Sequence, residues 1–266
     1  MDNHTRPPFA KPLALFLLLA FGLFLIAAII TQVLGITDLN TAQLISSLSF
    51  FALPPVLFAL WQSPKPLAYL QLQTARLSWK QWGILALVFT GALGAVDLTA
   101  QINSALPLPV SWQNFLLAQE NYMQGIIQEM LSDTSALGLT MNFITMVLAA
   151  AIGEELFFRG VLQKLFVDRW GTTTGIIVAS LAFGIGHMQP YTFLPIFIMG
   201  IMLGLVKEHT KSLWIPILLH ATNNSIALYG SYTEGYDPNA PGLALPYSLA
   251  LTVLMIIGLR ALAKSK

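Results

Sequence analysis

The chain has 266 residues, 56% hydrophobic and only 9% charged, with 13 Lys and Arg against 12 Asp and Glu and no cysteine; its mean hydropathy is +0.70. Soluble domains carry about a quarter of their residues as charged side chains, so these few charges cannot cover a surface that faces water throughout. A net charge of +1 gives no basic footprint for nucleic acid, the composition does not fit a disordered chain, and the missing cysteines exclude disulfides, thiolate metal sites and a cysteine nucleophile.

The sequence predicts an all-α, polytopic membrane protein. A span needs about 20 mostly apolar residues to cross about 30 Å of hydrocarbon. The first runs from Leu13 to Gly35 without a charged residue. It outlasts the apolar core of a cleavable signal, about 7–15 residues, and reads as a retained helix. Further spans follow at Leu44–Trp61, Trp82–Ile102, Leu139–Leu162, Thr173–Met188, Phe193–Val206, Leu213–Tyr229 and Ala244–Leu262. Between the third and fourth lies a long outer connection, Asn103 to Gly138. In it Trp112, Phe115, Leu116, Tyr122, Met123, Ile126, Ile127, Met130 and Leu131 recur at helical spacing, as in an amphipathic helix. Its charges are acidic, which favours a cap packed on protein over one lying on anionic lipid. The fifth and sixth spans are short and are expected to be sheltered by neighbours. In the sixth, Gly200 and Gly204 offer a smooth face for close helix contact.

The charges test this map of about eight spans in a single membrane-embedded domain, 1–266. With the N-terminus inside, the inner segments hold Arg6, Lys11, Lys65, Arg76, Lys80, Lys164, Arg169, Lys207, Lys211, Arg260, Lys264 and Lys266, which is 12 of the 13 basic residues. The outer loops hold Asp38, Glu120, Glu129, Asp133, Glu234 and Asp237. This asymmetry predicts that both termini are cytoplasmic. The remaining basic residue, Arg159, lies inside a span.

Polar groups inside a bilayer are costly and therefore informative. Asp97 lies near the outer end of the third span among Thr99, Gln101 and Asn103 and reads as an interfacial carboxylate reaching water. The fourth span contains Glu154, Glu155 and Arg159, three ionisable residues within six positions. Glu155 and Arg159, four apart, share a helix face and can pair. Glu154 is turned about 100° away; unpaired in low dielectric, its carboxyl tends toward the range a general base uses. A static ion-pair network is the simpler reading of these three alone. The fifth span ends with Phe183 and His187, four apart, and the seventh carries His220 and Asn224, again four apart. Each such group needs a partner in lipid, and the cheapest arrangement brings them together. One protonated histidine would neutralise two glutamates and one arginine. Glu154 lies 15 residues from Leu139, about 22 Å down from the outer end, and His220 seven residues from Leu213, about 10 Å up from the inner face. The two can share a level.

Glu-Glu-x-x-x-Arg, Phe-x-x-x-His and His-x-x-x-Asn, in order on separate spans, resemble the motif set of the CPBP family. These are the CAAX proteases and bacteriocin-processing relatives, also called Abi or type II CAAX prenyl endopeptidase-like proteins. The resemblance covers residues 139–229, a CPBP-like core, and the first three spans contribute nothing to it. It implies an intramembrane endopeptidase in which Glu154 activates water, His187 assists, His220 and Asn224 stabilise the oxyanion, and Glu155 and Arg159, with Phe183, support them. The implied substrate is a peptide or protein, prenylated as in CAAX trimming or plain as in bacteriocin-related processing.

Amide hydrolysis needs a base for water, donors for the developing oxyanion and an acid for the leaving amine; these residues supply all three. No serine sits in a G-x-S-x-G elbow, and the deep spans lack an aspartate dyad. Glu154, His187 and His220 would also make a ligand set for catalytic zinc. There is no H-E-x-x-H, so a metal-free mechanism is the expectation and zinc the alternative. A proton-coupled carrier would use the same buried Glu/His cluster, and an inactive family member acting as a membrane scaffold is a third reading. The partners expected are the substrate and membrane lipids, with no nucleic acid. A short, loop-poor chain without a targeting extension fits a bacterial plasma membrane.

Overall fold

The structure, a computed structural model, describes residues 9–106, 110–233 and 242–265, without the side chains of Val110 and Trp112. Arg6, Glu234, Asp237 and Lys266 of the expected charge map lie outside the described residues, as does the Trp112 side chain. Among the described residues every regular element is helical. In chain order these are α1 (Ala10–Val33), α2 (Leu39–Gln62), α3 (Trp79–Ala105), α4 (Val110–Ser132), α5 (Ala136–Trp170), α6 (Thr172–Gly186), α7 (Phe193–Thr210), α8 (Trp214–Thr233) and α9 (Leu245–Ala263), with a single turn at Pro66–Tyr69.

Local chemistry sets the ends. Asp38 caps α2 by accepting the Thr41 N–H at 2.7 Å, Ser78 and Gln81 form a capping box on α3, and Ser135 accepts the Gly138 N–H to open α5. Gly171, at φ +84, ends α5 in a conformation that L side chains avoid and turns the chain into α6. Pro54 and Pro55 cannot donate to the turn before them, and in α2 that turn is a π-helix, Leu48–Ala52.

Among the described residues six helices are long and apolar enough to cross a membrane: α1, α2, α3, α5, α7 with its leading turn, and α9. The chain is a multi-pass integral membrane protein. Of the other two spans predicted, α6 is apolar but has 15 residues, and α8 has 20 but includes His220, Thr222, Asn223, Asn224 and Ser225. The span predicted to be short at Phe193–Val206 reaches Thr210. Helix α5, at 35 residues, would be about 52 Å long, so its last turns, with Lys164, Asp168 and Arg169, run beyond the hydrocarbon.

The chain divides into two compact units. The first comprises α1, α2, the turn at Pro66–Tyr69, α5, the start of α6 to Ala179, and α8. Its core is aromatic. Phe157 of α5 packs on Phe16 of α1 (ring centroids 4.8 Å apart) and on Phe50 (5.2 Å) and Phe51 (5.5 Å) of α2, while Phe16 meets Phe58 at 5.2 Å. Gly153 and Gly160 flank the ionisable motif. A Cβ on Gly153 would lie 3.0 Å from Phe51 Cβ and one on Gly160 3.1 Å from Leu70, so small residues let neighbouring chain close on this stretch.

The second unit comprises α3, α4 up to Gln128, α6 from Ser180, α7 and α9. Helices α3 and α9 meet through glycine: Gly91 and Gly94 sit against Met255 and Leu251, and Gly258 against Val88. The small face predicted for α7 is a packing face here, with Gly200 against Ser180 and Phe183. Asp97, half-exposed near the end of α3, also makes tertiary contacts. It accepts from Gln101 Nε2 (2.9 Å), the Leu243 N–H (3.1 Å) and Ser248 Oγ, tying α3 to the start of α9. The connection predicted as an amphipathic helix is α4, but protein covers its stripe only in part. Met130 is buried and Leu116, Met123, Ile126, Ile127 and Leu131 are half-buried, whereas Phe115 and Tyr122 are 69% and 66% exposed.

Candidate functional site

The first unit gathers Glu154, Glu155, Arg159, His220 and Asn224. Helix α5 is not a uniform α-helix through this region. Two π-helical stretches, Phe143–Ala149 and Glu155–Leu162, bracket one α-helical turn at Ala150–Glu154. Such π turns are rare and concentrate at functional sites. Glu154 is the last residue of the α turn and Glu155 the first of the second π stretch, so the paired glutamates straddle a change of pitch.

Glu155 and Arg159 pair as their spacing predicts, Oε1 to Nη1 at 2.7 Å, with Glu155 fully buried. The same Oε1 also lies 2.9 Å from His220 Nδ1. One carboxylate therefore joins a guanidinium on its own helix to an imidazole on α8, 65 positions away in sequence. Because a carboxylate oxygen can only accept, His220 Nδ1 carries the proton in this contact and Nε2 is turned toward Glu154, 3.9 Å from its Oε2. That is an electrostatic approach, too long for a hydrogen bond. The Glu154 side chain keeps 16% of its surface open, against 0% for Glu155 and 6% for His220. Glu155 is thus sealed and paired, while the Glu154 side chain is partly accessible.

Helix α8 is held in register along α5 by polar contacts. At its start Trp214 Nε1 donates to the Leu72 carbonyl (2.9 Å), the Leu213 N–H to Gln71 (2.8 Å) and Ser212 Oγ to Gln73 (3.2 Å). Farther along, Asn224 Nδ2 donates to the Met146 carbonyl at 3.1 Å, inside the first π stretch. Beyond that, Asn142 Nδ2 donates to Tyr232 Oη and to the Met130 carbonyl, both at 2.6 Å. His220 on Glu155, Asn224 on Met146 and Tyr232 on Asn142 describe two antiparallel helices laid side by side. Thr145 Oγ1 donates to Asn40 Oδ1 at 2.9 Å and links α2 to the same face of α5.

Phe183 and His187 belong to the second unit, and their geometry is local to it. The His187 ring meets the Phe183 ring edge-on at 4.6 Å, and Nδ1 lies 2.8 Å from the Phe183 carbonyl. A carbonyl accepts, so His187 Nδ1 is also the protonated nitrogen. The Phe-x-x-x-His spacing thus fixes a tautomer and a ring orientation. Among the described residues no group of three His, Asp or Glu side chains is arranged to hold a metal ion.

The sequence did not point to the Glu155–His220 contact, the Asn224–Met146 contact or the Asn142–Tyr232 contact. Asn142 and Thr145 sit about two to three turns before Glu154 on the same helix, and their polarity inside an apolar span is the signal that could have flagged them.

Comparison with known proteins follows the same residues. Residues 136–226, which include every motif position from Glu154 to Asn224, match the model of a family described as Rce1-like, Type II CAAX prenyl endopeptidase Rce1-like. The chain is also 24% identical over 173 residues to an uncharacterized 24.3 kDa protein of Escherichia coli, covering 63% of this chain and 70% of that one. No solved structure matches the chain significantly.

Proposed function

We propose that this chain, whose residues 136–226 match the model of the Rce1-like type II CAAX prenyl endopeptidase family, is an intramembrane endopeptidase that hydrolyses a peptide bond with water activated by Glu154. The observation that carries the reading is His220 held between two carboxylates, Nδ1 on Glu155 at 2.9 Å and Nε2 facing Glu154 at 3.9 Å. As an imidazolium, His220 brings the charges of Glu154, Glu155, Arg159 and His220 to zero, the arrangement that costs least in an apolar interior.

In the proposed reaction Glu154 takes a proton from water as the hydroxyl oxygen adds to the scissile carbonyl carbon. The carbonyl π electrons move onto oxygen, and His220 Nε2–H and the Asn224 amide donate to that oxyanion. The oxyanion collapses, the C–N bond breaks, and the proton held by Glu154 passes to the leaving nitrogen. Glu155 acts through His220, fixing its tautomer and aim. By resemblance His187 assists proton transfer, its ring oriented by the Nδ1 contact with the Phe183 carbonyl. The proposed substrate is a membrane-associated peptide or protein of the CAAX or bacteriocin-processing type, and the proposed location is a bacterial plasma membrane. No step requires a metal.

Cleavage of a fluorogenic peptide panel, prenylated and plain, by the purified chain in detergent tests the reading. Turnover should survive a strong chelator and fall by about 10²–10⁴ in Glu154→Gln, with His220→Ala comparably impaired. Chelator loss reversed by zinc would replace the metal-free mechanism. Absence of turnover across the panel, with proton-coupled flux in liposomes, would favour a carrier.

A further inference from the structure

Three helix ends of the first unit surround a cavity of about 220 Å³. Helix α1 begins there at Ala10, α2 ends there at Gln62 and α5 ends there at Trp170. Two membrane-length helices, α1 and α2, have ends here beside the charged last turns of α5. Phe9 and Leu165 give the cavity apolar walls, and Gln62, Tyr69, Lys164 and Arg169 give it donors.

We propose that this cavity is a headgroup site for an anionic phospholipid, whose phosphate oxygens are held by Arg169 and Lys164 with Gln62 and Tyr69 beside them. Charge supports an anion: two cations line the space against one carboxylate, Asp168. Lys164 is shared, 3.0 Å from Asp168 and 5.4 Å from the centre of the Tyr69 ring. Arg169 has no ion-pair partner among the described residues. Burial, reinforced by Asp168, pushes the Tyr69 hydroxyl up to about 12, so it keeps its proton and remains a donor throughout the physiological range. A guanidinium, an ammonium, a phenol and an amide around one space suit a ligand with several acceptor oxygens.

The position argues for a lipid over a soluble phosphate. Trp61 and Trp170 are 61% and 42% exposed at these same helix ends, as in the aromatic belts at membrane boundaries. Phe9, Phe166 and Trp170 cluster with centroids 4.9–5.9 Å apart, an apolar seat beside the cavity for the first carbons of the acyl chains. Basic pockets between membrane helices are suited to lipid headgroups. The inference is independent of the protease reading, since no catalytic residue lines the cavity.

Native mass spectrometry of the full chain, titrated with phosphatidylglycerol or phosphatidylcholine, tests it. The wild type should retain phosphatidylglycerol preferentially, and Lys164→Gln with Arg169→Gln should weaken that retention by about 10- to 30-fold, to the phosphatidylcholine level. Millimolar inorganic phosphate should leave the lipid in place. Should the double variant fail to fold, Tyr69→Phe, which keeps the ring under Lys164 and deletes only the hydroxyl, should still reduce the preference severalfold. Equal retention of the two lipids, or unchanged phosphatidylglycerol binding in a folded variant, overturns the proposal. Full displacement by inorganic phosphate also overturns it, in favour of a soluble-anion site.

Discussion

Replacing Glu155 by alanine removes an oxygen that two buried groups share. Arg159, 2.7 Å away, and His220, 2.9 Å away, have side chains only 2% and 6% exposed, so water cannot replace what is lost. Breaking a buried ion pair by deleting one partner costs about 3–5 kcal/mol, a large share of the 5–15 kcal/mol that typically separates folded from unfolded protein. At about 2–4 °C per kcal/mol, the melting temperature in detergent should fall by about 6–20 °C. Fluorescence-monitored size-exclusion melts of wild type, Glu155→Ala, and Glu155→Leu combined with Arg159→Met measure this. The double variant should recover most of the lost stability, because no charge is left stranded, yet remain impaired in peptide cleavage because His220 loses its Nδ1 acceptor. A Glu155→Ala protein that melts within about 1 kcal/mol of wild type would refute the reasoning. So would a double variant no more stable than the single.

At the α3–α9 contact, Gly94→Leu drives a side chain into Leu251. Overpacking of this kind costs about 1–3 kcal/mol, and a lower melting temperature with the catalytic residues intact should show it. Gly230→Ala, with nothing within 4 Å of the added carbon, is the control and should melt like wild type. The Asp133 carboxyl lies below its ordinary 3.8, held there by the Ser135 side chain and then by the Ser135 N–H. Its contribution is therefore present above that ordinary value and is lost as pH falls through the lower folded one. Asp133→Asn should flatten the acid limb of the stability profile in this range and change little near neutrality, as acid melts can show.

The sequence by itself determined that this is a helical membrane protein and which polar residues lie within its apolar runs. Both conclusions rest on the same physics. Apolar runs of span length can satisfy their backbone in lipid only as helices, and a Glu, Arg or His inside such a run is too costly to be incidental. The Glu155–Arg159 pair followed from helical spacing, and the shared level of Glu154 and His220 from counting rise along two helices. The tertiary structure alone decided that Glu155 serves His220 as well as Arg159, because that contact joins positions 65 apart and no local pattern encodes it. The two π stretches of α5 were equally out of reach, since seven or eight residues do not distinguish one helical pitch from another by their apolar spacing. Asp97 is a related case: its place near a span end marked it as interfacial, and only the fold supplies the Leu243 N–H and Ser248 hydroxyl that also engage it.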